Sequence, residues 1–362
     1  MTRKLLREKC PLVPGIYGWL DHNRQLVYVG KSKSLRLRLL GYFAKNPSDP
    51  KMKRIRQHSD RIVWEPISHE LLALVRESEL IHRWRPEFNS MGQPTRMQPA
   101  FVCIGGQPAP NARLVRRLNE SHKLVYGPIS GTKRLRMAIE CLNQIFQLRD
   151  CADKTKFEFK NQKFLFDDHK SAKCIRFELG TCPAPCAGLC SRQHYQSNVD
   201  ALISFLNGDS TVIIDQAEQQ MSTLAERQSY ESAAIYRDYL KHLKWLDRRL
   251  HGLRMAEENL NGLLPIAARK GRPGWLALQG GRISRTFSVS ATPGHEEKIA
   301  SDIAEIISCG DSRPNNLLAM SLQLIVIAWL KKNPSMKNEI IPFHSAANHL
   351  AESAGLHSRQ SA

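Results

Sequence analysis

Two β-type runs separated by four residues constrain this chain more than any other feature. They are Gly15-Ile-Tyr-Gly-Trp-Leu20 and Gln25-Leu-Val-Tyr-Val-Gly30, with only Asp21-His-Asn-Arg24 between them. Short runs rich in aromatic and branched residues, flanking a polar turn, read as a β-hairpin. That pairing would bring the phenols of Tyr17 and Tyr28 close in space. A third run, Arg61-Ile-Val-Trp-Glu-Pro-Ile67, and helical stretches at Ser34–Phe43 and Glu70–Trp84 complete a compact α/β unit.

Charge marks the same region. The chain of 362 residues carries 53 Lys and Arg against 34 Asp and Glu, a formal charge of +19. Residues 31–61 hold ten Lys or Arg and, as acids, only Asp49 and Asp60. Such a cluster suits a face that tracks phosphates, because each neutralised phosphate releases counterions. No run reaches the roughly 18 apolar residues of a membrane span, and the N-terminus is charged, so the expectation is a cytoplasmic chain with no membrane partner. In that compartment the nine cysteines are ligands or free thiols rather than disulfides.

The hairpin block, read whole, resembles the GIY-YIG nuclease domain, here as Gly15-Ile-Tyr17 and Tyr28-Val-Gly30. The spacing from Lys31 through Arg38 to Tyr42, and from Glu77 to Asn89, is similar to the version in the UvrC family of excision-repair nucleases. Singly, a strand tyrosine is a packing residue and a helix glutamate a solvated charge; in this order over 75 residues they read as a site. The resemblance implies a catalytic set of Tyr17, Tyr28, Lys31, Arg38, Tyr42, Glu77 and Asn89. Glu77 would be the ligand of one Mg²⁺ or Mn²⁺ ion, Arg38 would contact the phosphate, and Lys33 and Arg36 would contact DNA. Arg38 suits that task because its planar fork matches phosphate geometry. A tyrosine would be the general base, its pKa lowered from about 10 by nearby positive charge; sequence leaves open whether that is Tyr17 or Tyr28. No organic cofactor is expected.

Cys151, Cys174, Cys182, Cys186 and Cys190 are separated by 22, seven, three and three residues. The absence of a Cys-x-x-Cys pair disfavours a zinc ribbon, while four thiolates on an irregular loop suit an iron–sulfur cluster. Zinc and plain buried thiols remain alternatives on spacing alone. Leu148-Arg-Asp-Cys151 and Cys174 to Cys186, with Tyr126-Gly-Pro128 upstream and Tyr195 downstream, resemble the cysteine-rich middle of UvrC. That resemblance implies a 4Fe–4S cluster on Cys151, Cys174, Cys182 and Cys186, leaving Cys190 as an extra thiol.

From Asp215 to about Leu260 the apolar spacing suits a helical hairpin. Within it, Tyr230-Glu231-Ser-Ala233-Ala234-Ile-Tyr-Arg237-Asp238 resembles the UVR motif. By that resemblance Tyr230, Glu231, Ala233, Ala234, Arg237 and Asp238 would bind UvrB. Beyond it come short strands, with Gly280-Gly281 as a hairpin turn, a helix near Glu296–Ile307, an apolar helix at Leu317–Trp329 and a polar tail. The stretch 259–295 has no Asp or Glu, so it cannot supply the acidic paired-metal site of the family's second nuclease.

The expected class is α+β. It divides into a small GIY-YIG domain at 11–91 (short antiparallel sheet with helices), a mixed and cysteine-rich cluster-binding region at 92–200, and a UVR-like helical hairpin at 201–255. A small mixed α/β C-terminal domain at 256–345 and a tail at 346–362 follow. The expected activity is a metal-dependent DNA endonuclease of nucleotide excision repair, making one incision on the 3′ side of a lesion in double-stranded damaged DNA, with UvrB as the platform. The rivals are a structure-specific nuclease acting without UvrB, a non-catalytic DNA- or UvrB-binding protein, and an iron–sulfur redox sensor.

Overall fold

A computed structural model describes residues 3–44, 49–89, 99–119, 121–152, 154–160, 174–267, 273–288, 301, 305 and 317–345. The expected helix near Glu296–Ile307 lies, apart from residues 301 and 305, outside the described residues, and the expected tail lies wholly outside them. The chain divides into two compact units: residues 1–98 with 255–362, and residues 99–254.

In the first unit, β1 (Gly15–Leu20) is the middle strand of an antiparallel sheet, with β2 (Leu26–Ser32) on one side and β3 (Arg61–Pro66) on the other. The register sets Tyr17 opposite Gly30 and Trp64, and Trp19 opposite Tyr28 and Ile62. Because side chains alternate across a strand, these six share one face of the sheet. That face is covered by α1 (Arg3–Lys9), α2 (Leu35–Gly41) and α3 (Pro50–Gln57), through Leu6, Leu35, Leu39, Met52 and Ile55. Asp49 starts α3 by accepting a hydrogen bond from the Lys51 N–H at 2.8 Å, with Pro50 in the first turn. Helix α4 (Glu70–Trp84) packs against β1 and β2 and stops at Arg85, which is left-handed (φ 47°) and precedes Pro86.

α4 has a second buried face. Its Leu71 and Val75 share a core with Leu264, Leu276 and Leu278 of a C-terminal sheet and with Val326, Trp329 and Leu330 of a late helix. The sheet is β7 (Gly262–Ala267), β8 (Pro273–Gln279) and β9 (Arg282–Ser288), antiparallel in that order. Gly280 and Gly281 turn β8 into β9 at φ +58° and +72°, values that favour glycine, as the sequence predicts. Numbered in order, the late helix is α10 (Leu317–Lys332). Residues 256–345 were expected to stand as a domain of their own. Their described part packs with α4 in the unit that carries the hairpin, where Leu71 and Val75 are buried against it.

In the second unit, β4 (Ala100–Gly105) lies between β5 (Asn111–Val115) and β6 (Leu124–Ile129), and α5 (Thr132–Ile145) packs on β4 and β5. Two short turns of helix follow, α6 (Ile175–Glu178) and a 3-10 turn at Pro185–Ala187. Helix α7 (Arg192–Asn207), capped by Ser191 and ended at Gly208 (φ 124°), spans the expected boundary at residue 200. The expected helical hairpin is α8 (Thr211–Glu226) and α9 (Tyr230–Asn259), and α9 runs 30 residues to the unit boundary and past it. Among the described residues no helix is long and apolar enough to cross a membrane.

Candidate active site

Three phenols and one guanidinium form the centre of the first unit. Tyr17, 1% exposed, is fixed from β1, and Tyr42 is the residue on which α2 ends. Their hydroxyls are 3.0 Å apart, and Arg38 Nε donates to the Tyr17 hydroxyl at 3.1 Å. The Tyr28 ring lies 6.1 Å from that of Tyr17, and Arg38 also sits over the Tyr42 ring at 5.8 Å. Gly30 makes this possible. A Cβ there would meet the Tyr17 hydroxyl at 3.0 Å and Tyr28 Cε1 at 3.1 Å, so the glycine of the Tyr-Val-Gly run is the floor on which Tyr17 lies.

Electrostatics at this centre depart from expectation. Burial pushes the Tyr28 phenol up to about 12, the neighbouring Tyr17 adds to the rise, and Arg38 only partly opposes it. Burial likewise raises Tyr42, followed by the charge and hydrogen bond of Tyr17. Positive charge was expected to lower a tyrosine pKa; at these two positions desolvation is the larger effect. Arg38 responds in the opposite sense. Burial disfavours its charged form, but the Tyr17 hydrogen bond and the three phenols outweigh this and raise its pKa, so it stays a cation.

A second group lies along β2 and α4. Glu77 is half-buried, and burial raises its carboxyl above the ordinary range, while the Lys31 charge and the Lys31 backbone N–H pull it back. Lys31 Nζ is also 4.0 Å from Glu70 Oε1, and the other oxygen of Glu70 accepts from Trp329 Nε1 at 3.1 Å. One carboxylate, with water to complete the shell, fits a hard divalent cation such as Mg²⁺.

Asn89 has a bracing geometry. Its Oδ1 accepts from the Val29 N–H at 2.8 Å and its Nδ2 donates to the Val29 carbonyl at 2.7 Å, so both amide groups are used on the strand between Tyr28 and Gly30. Arg36 is partly engaged elsewhere, its Nε donating to the Cys10 carbonyl, whereas Lys33 is exposed. Sequence reasoning passed over α3, which sets Lys51 over the Tyr28 ring at 5.2 Å, Arg54 over Phe88 at 5.7 Å and Arg56 over Phe43 at 5.3 Å. The basic cluster at 31–61 was the available signal. A cavity of about 330 Å³ opens between the sheet and α4; Tyr17 borders it, but Ile16, Leu26, Val63, Leu80 and Trp84 make its walls largely apolar.

In the second unit, Cys182 and Cys190 are buried, Cys186 is half-buried, and Cys151 and Cys174 are exposed. Burial raises Cys182, Cys186 and Cys190, the last to about 11, and each feels other thiols of the set. Thiols are the right donors for an iron–sulfur cluster, and these five are within electrostatic reach of one another. Among the described residues, however, no three Cys, His, Asp or Glu side chains stand together as a metal-holding group. Arg149, 1% exposed, braces the first cysteine by donating to the carbonyls of Ala109 at 2.6 Å and Cys151 at 2.8 Å. Of the expected partner-binding residues, Tyr230 is exposed, Ala233 is buried, and Arg237 and Asp238 form a 3.9 Å pair at the surface.

Comparison with known proteins matches three stretches between residues 13 and 244. Residues 13–90 match the UvrC-like GIY-YIG domain, 100–205 the UvrC/Cho excinuclease middle domain, and 211–244 the UvrB/uvrC motif. UvrABC system protein C of Lachnospira eligens is 30% identical over 238 residues, covering 66% of this chain and 37% of that protein. Its counterpart from Psychrobacter arcticus is 31% identical over 242 residues, covering 67% of this chain and 38% of that one. The matched stretch is thus under two-fifths of these relatives' own length. Among solved structures, the N-terminal endonuclease domain of UvrC from Thermotoga maritima, bound to magnesium, is 33% identical, covering 25% of this chain and 99% of that one at a TM-score of 0.22. Residues 13–90 are therefore a UvrC-like GIY-YIG domain, followed in UvrC order by the middle domain and the UVR motif.

Proposed function

From a chain that is UvrC-like through residue 244, we propose a metal-dependent DNA endonuclease of nucleotide excision repair, making one incision on the 3′ side of a lesion in a complex of UvrB and damaged duplex. The observation that carries this reading is strand β2, which sets Tyr28 and Gly30 against Tyr17 of the Tyr17–Tyr42–Arg38 network and, one residue on, Lys31, whose charge and backbone N–H act on Glu77.

Hydrolysis of a phosphodiester needs a deprotonated water, neutralised phosphate charge and a stabilised leaving alkoxide. Glu77 would hold one Mg²⁺ or Mn²⁺ ion, which when bound supplies Lewis-acid stabilisation of the leaving oxygen. Tyr17, as its phenolate, would take the proton from water. Arg38 already hydrogen-bonds its oxygen, so a phenolate there has a charged donor at 3.1 Å. The remaining N–H groups of Arg38 can reach a phosphate oxygen, and Lys31 and Lys33 add positive charge at the end of β2. Asn89 keeps Val29 in place, and with it Tyr28 and Gly30 on either side.

A 4Fe–4S cluster on Cys151, Cys174, Cys182 and Cys186 belongs to this proposal. Its support is the resemblance of the cysteine run and the mutual influence of the thiols; iron and sulfide content of anaerobically purified protein checks it. Docking to UvrB through the Tyr230–Asp238 end of α9, and action in the cytoplasm, are proposed on the UVR match. The deciding experiment is incision of a duplex bearing one lesion, with and without UvrB, mapped to the nucleotide. A nick 3′ to the lesion that requires UvrB and a divalent cation supports the proposal. Cutting of junctions or flaps without UvrB, or no cutting with either metal, overturns it.

A further inference from the structure

Cations gather a second time where the start of α5 meets the middle of α9, within residues 99–254. Arg134 of α5 lies over the Trp245 ring of α9 at 5.0 Å, and Arg249 lies over the same ring at 5.9 Å. Arg134 also donates to the Lys241 carbonyl at 3.4 Å, and Gly131, just before α5, approaches Trp245. Lys241, Trp245, Arg248 and Arg249 follow the i, i+4, i+7, i+8 pattern of a single helix face. Lys133 and Arg136 flank Arg134 on α5. All of these cations but the half-buried Arg134 are exposed.

Two acids, Glu140 and Asp238, reach this region far enough to act on the buried His242. Tyr239 donates to Gln144 near the other end of α5, and it is there that Glu140 and Asp238 lie. Arg237, Lys244 and Arg254 pair with Asp238, Glu218 and Asp247. Lys133, Arg134, Arg136, Lys241, Arg248 and Arg249 form no ion pair among the described residues. Beneath them His242 is buried with no partner for Nδ1, and after burial itself the charges of Arg134 and Lys241 are what oppose its protonation. Arg134 and Arg249 over one indole, with Lys241 and Arg248 on the same face of α9, form a cationic surface complementary to a polyanion, and the stacking limits the side-chain freedom that binding would otherwise remove.

We propose that the start of α5 and residues 241–249 of α9 form a second surface for duplex DNA, gripping its phosphate backbone outside the unit that carries the phenols. The inference rests on DNA being the substrate. It divides α9 by partner, with the Tyr230–Asp238 start for protein and the Lys241–Arg249 middle for nucleic acid.

The test is fluorescence anisotropy of the full chain on a 30-bp undamaged duplex without divalent cation, from 50 to 200 mM KCl. The variant is Lys241→Gln/Arg248→Gln/Arg249→Gln, all exposed positions that leave Arg134 and Trp245 in place. The slope of log K against log salt should fall by about 2 to 3, near 0.9 per lost phosphate contact, and affinity at 100 mM should fall at least tenfold. Nicking at saturating DNA should keep its wild-type rate. Should the triple variant misfold, Arg249→Gln alone should lower the slope by about 0.9. An unchanged slope overturns the inference while normal nicking leaves the nuclease reading standing. Intact DNA binding with lost UvrB binding also overturns it, making the patch a protein-docking face. A wild-type chain that binds with the steep slope but never nicks defeats the nuclease reading instead.

Discussion

Replacing Gly30 by alanine isolates the placement of Tyr17 from its chemistry. The added Cβ would stand 3.0 Å from the Tyr17 hydroxyl, 3.1 Å from Cζ of the same ring and 3.1 Å from Tyr28 Cε1, so the rings must yield by a few tenths of an ångström. Tyr17 has no slack: it is 1% exposed and is held by Tyr42 at 3.0 Å and Arg38 at 3.1 Å. Overpacking of this kind costs about 1–3 kcal/mol in stability. A misplacement of 1 Å costs about a hundredfold in rate, so a few tenths should lower kcat by about tenfold. Gly18→Ala is the control on the opposite face of β1, where the new Cβ meets the flexible Leu26 Cδ1 at 2.7 Å and Val63 at 3.2 Å. Single-turnover nicking and urea unfolding of both variants are the assays. Gly30→Ala should lose rate out of proportion to stability, and Gly18→Ala stability without a selective loss of rate. Equal nicking by Gly30→Ala and wild type would refute the idea that the rate depends on where the Tyr17 hydroxyl is held.

Three further outcomes follow from the same geometry. Asn89→Ala strands the Val29 N–H and carbonyl, each about 1–3 kcal/mol when buried and unpaired, so urea unfolding should show a loss of about 2–6 kcal/mol; a loss below 1 kcal/mol contradicts the brace. Tyr28, raised by burial to about 12, contributes stability that is whole below about pH 10, the unfolded phenol's value, and is lost as pH climbs through 12. Tyr28→Phe should therefore flatten the fall of the urea midpoint between pH 10 and 12, and superimposable curves for the two proteins would count against it. Leu330→Ala, fully buried against α4's neighbours, should destabilise the first unit by about 2–5 kcal/mol and speed hydrogen exchange in α4; if α4 exchange is untouched, the C-terminal residues do not support that helix.

Much of this was legible in the sequence, for identifiable reasons. Helix Glu70–Trp84 was read to the residue, because its apolar spacing is regular and Arg85-Pro86 ends it. The hairpin at 15–32 and the Gly280-Gly281 turn were equally clear, since a short polar turn and a glycine pair each leave few alternatives. Assembly was not. The five consecutive apolar residues Leu71–Val75 hinted at burial on two faces, but nothing in their spacing names Val326, Trp329 and Leu330 as what covers the second. Asn89 carried no local sign of its brace, because the partner, Val29, is 60 residues away. The depth of Tyr28 and Tyr42 was not legible, because charge can be counted in a sequence while burial cannot.

The central claim is that residues 13–90 hold the site that cuts. Single-turnover nicking of lesion-bearing duplex by Glu77→Gln, in Mg²⁺ and with UvrB present, tests it most directly when paired with a binding measurement on the same DNA. The account predicts that cleavage is lost while DNA binding stays within a few-fold of wild type. Nicking by Glu77→Gln at the wild-type rate would contradict it.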